Sequence, residues 1–467
     1  MYSAPADASH TEASIMDFYK ATGTEPIGKE VRTHFSTEIT GELAGKKVVL
    51  MGWTHILRDK GRIKFLILRD ERGTVQVTIP QKKVPAEVFK TSETLKPETA
   101  VAVTGTVVAT NQVESGAEII PEKIRIINTA ERLPIDVVEG KTDIDLDTRL
   151  NYRILDLRKP STHAVFRIQY NLVRFARAYL ESNDFIEIHT PKLVAEATEG
   201  GANLFEVKYF DRKAYLAQSP QFYKQLMLLA GFGRVYEIAP VFRAEKHNTR
   251  RHINEYTSFD FEMAWISGVE DVMAMEENML HHSFKMTKKH AAAELEVLGV
   301  DFDVPKVPFK RIKYEKAIEL VNEAGKDLSI TDDLDPECER ILGEVFPEKY
   351  GTDMVFITHY PLELRPAYTM PSMTDEGMTE SFDLTYKGME ITTGGQRIHL
   401  YDLLVERFRA KCFNPDDFSF YLDPFKYGAP PHGGLGLGVE RMTMQLLGIE
   451  NIREATLLPR DRDRLTP

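Results

Sequence analysis

Val241 to Tyr256 reads Val-Phe-Arg-Ala-Glu-Lys-His-Asn-Thr-Arg-Arg-His-Ile-Asn-Glu-Tyr. Upstream, Arg234-Val235-Tyr236-Glu237-Ile238 alternates polar and apolar residues, the period of a half-buried strand. Downstream, Ile253 to Trp265 alternates again. The loop between them holds Lys246, His247, Arg250, Arg251 and His252. Two strands joined by such a loop make a hairpin aimed at a polyanion. A lone run of cations usually covers a solvated loop. Here Arg243 and Glu245 fall at the strand end, where charge is costly unless used.

Two further stretches carry the same chemistry. A tight turn near Gly388 would bring Asp383 and Glu390 together across a hairpin. Like charges facing across strands destabilise a sheet. Either both acids are solvated, or the pair holds a cation such as Mg²⁺, whose preferred ligands are oxygens. Gly433 to Arg441 alternates glycine with leucine and fails the Gly-x-Gly-x-x-Gly dinucleotide spacing. It reads as a strand on which something packs closely. Val439 to Leu447 follows as a helix stopped by Gly448. Arg441, in its first turn, opposes the helix dipole and calls for an anion.

Phe242-Arg-Ala-Glu245, Arg251-His-x-x-Glu-Tyr256 and Gly434-Leu-Gly-Leu-Gly-Val-Glu-Arg441 resemble motifs two and three of class II aminoacyl-tRNA synthetases. Leu180 to Leu193, with Pro191, resembles motif one. The surroundings are similar to the aspartyl members of archaeal and eukaryotic cytosolic type, from about Gly45 to Pro467. The resemblance implies an α+β chain in four parts. Residues 1–30 form an arm and 31–135 an OB-type β-barrel that binds the anticodon. A hinge at 136–160 leads to a catalytic domain at 161–467, an antiparallel sheet flanked by helices. Residues 300–353 read as an insertion in that sheet. The implied reaction joins L-aspartate to ATP with Mg²⁺, giving aspartyl-adenylate, then transfers aspartate to tRNA(Asp). A homodimer, built through the motif-one region, is also implied.

The resemblance assigns roles residue by residue. Arg243 and Arg441 are the catalytic cations. Glu199, Gln221, Lys224, Arg243, Thr393 and Arg397 surround aspartate. ATP meets Arg243, Ala244, Glu245, Arg251, His252, Ile253, Tyr256 and Glu390, together with Gly438, Val439, Glu440 and Arg441. Asp383, Glu390 and Thr393 hold Mg²⁺. Thr393 stands where the family commonly has Ser, and Tyr256 where it commonly has Phe. His247 and the barrel residues Trp53, Arg58, Arg62 and Phe65 face tRNA. An asparaginyl or lysyl enzyme shares the architecture; the cations Lys224 and Arg397 argue against both. A non-catalytic tRNA-binding relative would be expected to lose Arg243, Glu390 or Arg441.

The rest of the chain agrees with a soluble enzyme. Its 467 residues suggest two or three domains, with 42% hydrophobic and 28% charged residues. No run reaches membrane-spanning length, and the start lacks a basic-then-apolar signal pattern. Two cysteines give neither a disulfide framework nor a metal spacing, as expected in the cytoplasm. The net charge of −12 opposes general nucleic-acid binding. Lys46 to Lys83, however, holds ten lysines and arginines against Asp59, Asp70 and Glu71. That excess is either a footprint for phosphate or a solvated face. Five strand patterns between Val48 and Ile127, with a helix near 87–95, suggest a small Greek-key barrel. On such barrels aromatics stack bases beside cations. Trp53 and Phe65 serve either that purpose or the core. Ser161 to Asn183 and Glu276 to Leu298 read as helices, the second carrying His281, His282 and His290 on a solvated side. A third helix is expected with Ser219 as N-cap and Pro220 at its first position.

Overall fold

The computed structural model describes residues 15–26, 28–196 and 204–466. The chain divides into two compact units, Met1–Pro160 and Ser161–Pro467.

The first unit is a closed barrel. Its strands are β1 (Lys47–Asp59), β2 (Ile63–Arg69), β3 (Thr74–Pro80), β4 (Ala100–Ala109) and β5 (Ala117–Asn128), in the order β1-β2-β3-β5-β4. Alternation puts Val48, Leu50, Leu66, Leu68, Val75 and Val77 inside, with Val101, Val103 and Ile119. The Ala86–Thr94 helix adds Val88 and Phe89 to that core. Closure removes the exposed edges that an open sheet of this size would present.

Part of the basic excess is neutralised within the unit. Lys47 pairs with Glu122, Lys64 with Asp59, Arg69 with Glu98 and Arg72 with Glu38. Arg58, Lys60, Arg62, Lys82 and Lys83 have no ion pair among the described residues. Glu98 is the buried hub, taking Arg69 at 2.7 Å and Arg158 at 2.9 Å. Burial pulls its carboxyl up, but His55, Arg69 and Arg158 outweigh that and hold it at about 2. Trp53 lies against this hub, 5.6 Å from the Arg69 guanidinium and 5.0 Å from that of Arg158. Phe65 is paired in register with Arg58, and both line a small cavity beside the Ala86–Thr94 helix.

The second unit is built on eight strands. They are β6 (Ile186–Glu187), β10 (Arg234–Phe242), β11 (Glu255–Ala264), β12 (Lys310–Lys313), β13 (Met354–Thr358), β14 (Ser381–Tyr386), β15 (Met389–Arg397) and β16 (His432–Gly438). Their order is β12-β13-β14-β15-β16-β11-β10-β6. The short strands β7 (Leu193–Val194), β8 (Glu206–Tyr209) and β9 (Arg212–Leu216) form a separate sheet. Helices Pro160–Glu181 and Val269–His290 supply much of the main core, with Leu172, Leu180, Met273 and Phe284 packed against Phe261, Leu384 and Leu435. Glycine lets β16 run between crowded neighbours. A Cβ on Gly434 would meet the Phe261 carbonyl oxygen at 2.1 Å and the Glu262 carboxylate at 2.3 Å.

Several local expectations change. The helix after Ser219 begins at Gln221, with Pro220 as N-cap and no side-chain cap. Ser219 Oγ lies 3.4 Å from the Gln221 N–H, too long for a strong bond. The expected Glu276–Leu298 helix is two, Val269–His290 and Ala292–Leu298. Its histidines are not simply solvated: His281 bonds the Pro305 carbonyl, and His282 and His290 pack against Phe175. Residues 300–353 do not leave the sheet, since β12 is its edge strand, parallel to β13. Helices Tyr314–Glu323 and Pro336–Tyr350 form the crossover a parallel pair requires.

Candidate active site

The neighbouring strands β15, β16, β11 and β10 carry the site. On β11, Ser258, Asp260 and Glu262 alternate with Phe259, Phe261 and Met263. The phenylalanines enter the core. The polar set faces the other way, yet all three residues are buried. Buried carboxylates need partners, and the Gln221–Leu229 helix and β15 supply them. Lys224 Nζ lies 2.9 Å from Asp260 Oδ1 and 3.3 Å from Glu262 Oε2, and donates to the Leu435 carbonyl at 2.7 Å. Arg397 Nε lies 2.9 Å from Glu262 Oε1, and its Nη2 donates to the Gly434 carbonyl at 2.8 Å. Burial raises the Glu262 carboxyl, but Arg397 and Lys224 outweigh it and hold it low.

Above this floor opens a cleft, lined among others by Gln221, Arg243, Glu245, Arg251, His252, Ile253, Tyr256, Glu390, Thr393, Arg397, Gly438, Glu440 and Arg441. The structure therefore brings together most of the residues singled out in the sequence. Lys224 is 1% exposed and sits beneath the cleft. Ala244 and Val439 flank it in sequence without lining it, and His247 is exposed on the loop. Glu199 lies outside the described residues. Trp53, Arg58, Arg62 and Phe65 belong to the barrel, where Arg58 and Phe65 share a cavity and Trp53 packs on the Glu98 hub.

Arg243 and Glu245 fall just beyond β10, which ends at Phe242. The Arg243 N–H bonds the Asn254 carbonyl at 2.9 Å, so backbone pairing persists past the strand end. Its guanidinium is 5.7 Å from the Tyr256 ring. The loop beyond is tied to the C-terminal segment: Arg453 donates to the Thr249 carbonyl at 3.0 Å and Ile452 to that of Arg250 at 2.9 Å. Burial and the cations Arg441, Arg243 and Arg251, opposed by Glu245, lower the His252 imidazole below its ordinary value.

The acidic pair is arranged differently from a simple facing pair. Asp383 lies opposite Thr393 and Glu390 opposite Thr385, with a bulge between Leu384 and Thr385. The acids still sense each other. Burial, opposed by Arg365, combines with the Glu390 charge to raise the Asp383 carboxyl. Glu390 is raised by burial but held low overall by Arg441, the Thr393 hydroxyl, Arg365 and Arg243. Arg441 Nη1 lies 3.7 Å from Glu390 Oε2 and donates to its carbonyl at 3.1 Å, which answers its opposition to the helix dipole. Arg365 Nη2 is ion-paired with Asp383 Oδ1 at 2.8 Å, an oxygen that accepts no aligned hydrogen bond among the described residues. Glu390 and the Thr393 hydroxyl, which donates to it at 2.8 Å, line the cleft, while Asp383 is paired with Arg365 and is not among the lining residues; all three groups offer oxygen. Such a set fits Mg²⁺, which takes one or two carboxylates and completes its shell with water and phosphate. Among the described residues no group of three or more His, Cys, Asp or Glu side chains gathers as a metal cage.

Asp260, Glu262 and Glu339 were not singled out in the sequence. The first two had a signal: polar residues at every second position of a strand otherwise made of Phe and Met. Glu339 had none, because it comes from the Pro336–Tyr350 helix, remote in sequence from every motif.

A family model described as tRNA synthetases class II (D, K and N) matches residues 145–462. A model described as an OB-fold nucleic acid binding domain matches residues 48–127. The chain is 49% identical over 437 residues to the aspartate–tRNA(Asp) ligase of Thermococcus kodakarensis, covering 93% of this chain and all of that one. It is 48% identical over 437 residues to the aspartate–tRNA(Asp/Asn) ligase of Methanocaldococcus jannaschii, covering 93% and 98%. Among solved structures it is similar to the asparaginyl-tRNA synthetase of Pyrococcus horikoshii complexed with asparaginyl-adenylate. There the TM-score is 0.88 and identity 34%, over 94% of this chain and all of the other.

Proposed function

The chain belongs to the class II tRNA synthetases of the D, K and N group, and from that premise we propose how its residues act as an aspartate–tRNA ligase. It activates L-aspartate with ATP and transfers the aspartyl group to the 3′ end of tRNA(Asp). One observation carries the substrate assignment: the Arg397 guanidinium sits at the cleft floor with the Lys224 ammonium buried beneath it, and Arg243, Arg251, Arg365 and Arg441 also line the cleft. The floor receives the side-chain carboxylate of aspartate and the rest of the cleft the triphosphate.

Arg397 is the direct reader. Its Nε and Nη2 are committed to Glu262 and Gly434, while its Nη1 has no hydrogen bond among the described residues. Lys224 donates two of its three N–H bonds to Asp260 and Leu435. The third faces Glu262 at 3.3 Å, so the donors left at the floor among the described residues are Arg397 Nη1 and the unpartnered Gln221 Nε2, and a carboxylate supplies two acceptor oxygens. An asparagine amide supplies one oxygen and sets an NH₂ against a donor. The two cations are already balanced by Asp260 and Glu262. Selection therefore rests on donor–acceptor matching more than on free positive charge. A lysine ammonium would meet only donors.

The aspartate α-carboxylate attacks the α-phosphorus and pyrophosphate leaves. Arg243 neutralises the charge that grows on the α-phosphate, Tyr256 stacks on the adenine, and Arg441 and Arg251 hold the leaving phosphates. Positioning and charge supply the rate. Asp383, Glu390 and Thr393 would hold Mg²⁺, which when bound neutralises phosphate charge. Glu199 would meet the substrate ammonium. The barrel reads the anticodon through Arg58, Arg62 and Phe65. Trp53 serves there with one face against the Glu98 hub. His247 contacts the acceptor end. The protein works in the cytoplasm; no described helix is long and apolar enough to cross a membrane.

ATP–pyrophosphate exchange tests this directly. Aspartate is expected to support it at least about 10²-fold better than asparagine, from one or two mismatched buried groups. Equal kcat/KM for the two amino acids would sink the assignment. Charging of purified tRNA(Asp) and tRNA(Asn) then decides between the two tRNA ranges named for the relatives. We also propose a homodimer through the motif-one region. There β6 is a two-residue sheet edge, and Ile186, Leu193 and Tyr170 are exposed. Light scattering at micromolar concentration should give twice the chain mass of 53.2 kDa, and a monomer would refute this.

A further inference from the structure

The Pro336–Tyr350 helix reaches the phosphate end of the cleft from behind. It does so because two glycines meet. A Cβ on Gly388, in the β14–β15 turn, would meet the Glu339 carbonyl oxygen at 2.2 Å and Gly343 Cα at 2.7 Å. A Cβ on Gly343 would meet the Lys387 carbonyl oxygen at 2.8 Å. Gly388 also has φ +82°, a left-handed value that favours glycine. The close approach fixes where the helix presents its first turn, which carries Glu339.

Glu339 uses that placement with both carboxylate oxygens. Oε1 accepts the Glu390 N–H at 2.9 Å. Oε2 accepts from Arg251 Nη1. The Glu339 side chain is only 17% exposed and does not line the cleft, whereas Arg251 and Glu390 do. A charge-assisted bond of this kind, sheltered from water, fixes a long side chain far better than a surface pair does. Unheld, Arg251 would sample many rotamers on an exposed loop.

We propose that Glu339 is a positioning residue for the triphosphate of ATP: one oxygen holds the Arg251 guanidinium at the cleft and the other fixes the strand at Glu390. It rests on the reading of the cleft as an ATP site. It adds that the segment between β12 and β13 takes part in nucleotide binding without touching the nucleotide. Glu339 does not contact aspartate or the reacting atoms, so its loss should act on ATP and spare aspartate.

The test uses the full-length chain. Glu339→Gln keeps an acceptor for the Glu390 N–H and removes the charge facing Arg251. The expected result is a rise of about tenfold in the ATP Kd, measured by calorimetry with Mg²⁺ and no aspartate. The ATP KM in exchange should rise in step, with the aspartate KM within twofold of wild type. A role in folding alone would lower the active fraction and leave both constants where they were. Arg251→Ala supplies the second arm: adding Glu339→Gln to it should cost little more, because the two act as one unit. An unchanged ATP Kd in folded Glu339→Gln, or fully additive effects with Arg251→Ala, would overturn the inference. Wild-type protein without aspartate-dependent exchange would instead overturn the functional reading beneath it.

Discussion

Arg397→Leu is expected to lower aspartate-dependent ATP–pyrophosphate exchange by about 10²–10³-fold, the rate equivalent of truncating one partner of a buried charged pair. The side chain is 4% exposed and does three jobs at once. It neutralises Glu262, it ties β15 to β16 through the Gly434 carbonyl, and it keeps one N–H for the substrate. Leucine fills much of the space and does none of these. The protein should also lose stability, by roughly 3–5 kcal/mol if Glu262 is left fully unpaired. Lys224, 3.3 Å from Glu262, reduces that cost.

The sign with pH follows from Glu262. In the wild type its carboxyl is held below its ordinary value, so its stabilisation is full at neutral pH and is lost as pH falls. Without Arg397, burial regains weight and favours the protonated form. The stability gap between variant and wild type should therefore be widest near neutral pH and close in acid. Urea unfolding at several pH values reads this separately from exchange. Arg397→Lys keeps a charge but not the planar fork, and should restore stability more than activity. Undiminished aspartate activation in Arg397→Leu would remove this residue from the substrate site.

What the sequence disclosed, and what it hid, follows the range of the physics. Alternation and turn chemistry are local, so the five barrel strands, the Gly388 turn, the β16 glycines and the Val439–Leu447 helix with its Gly448 stop were legible. Arg243 and Arg441 were legible because a cation at a strand end or in a helix's first turn is locally unfavourable and so needs a distant reason. The reasons themselves were not legible. That Lys224 and Arg397 already carry Asp260 and Glu262 depends on which strands β11 neighbours. That Trp53 packs against the Arg69 and Arg158 guanidinia depends on how the chain folds back on the barrel. The bulge at Leu384 and Thr385 shifts which residue faces Glu390, and no spacing in the sequence marks it. Residues 300–353 misled because a four-residue edge strand is too short to show a period.

Arg243→Ala is expected to lower kcat for exchange by about 10²–10³-fold, the usual cost of removing one preorganised group from a developing oxyanion. The placement favours an effect on the transition state over one on binding. Arg243 is half-buried and its backbone continues the β10–β11 pairing through the Asn254 carbonyl. The Arg243 backbone is thus set by the sheet rather than by the loop beyond it. Its charge also helps hold Glu390 ionised, so its loss disturbs the proposed Mg²⁺ ligands as well as the phosphate. The Tyr256 ring 5.7 Å away, proposed to stack on adenine, remains in place, so the ATP KM should rise far less than kcat falls. That split distinguishes Arg243 from Glu339, whose loss is expected in the ATP constants. Arg243→Lys should recover part of the rate, since an ammonium supplies charge but cannot bridge two oxygens in one plane. Steady-state exchange at varied ATP and varied aspartate measures both constants in one experiment. A tenfold or smaller fall in kcat for Arg243→Ala, in protein that melts like wild type, would show that the charge on the α-phosphate is met by another group.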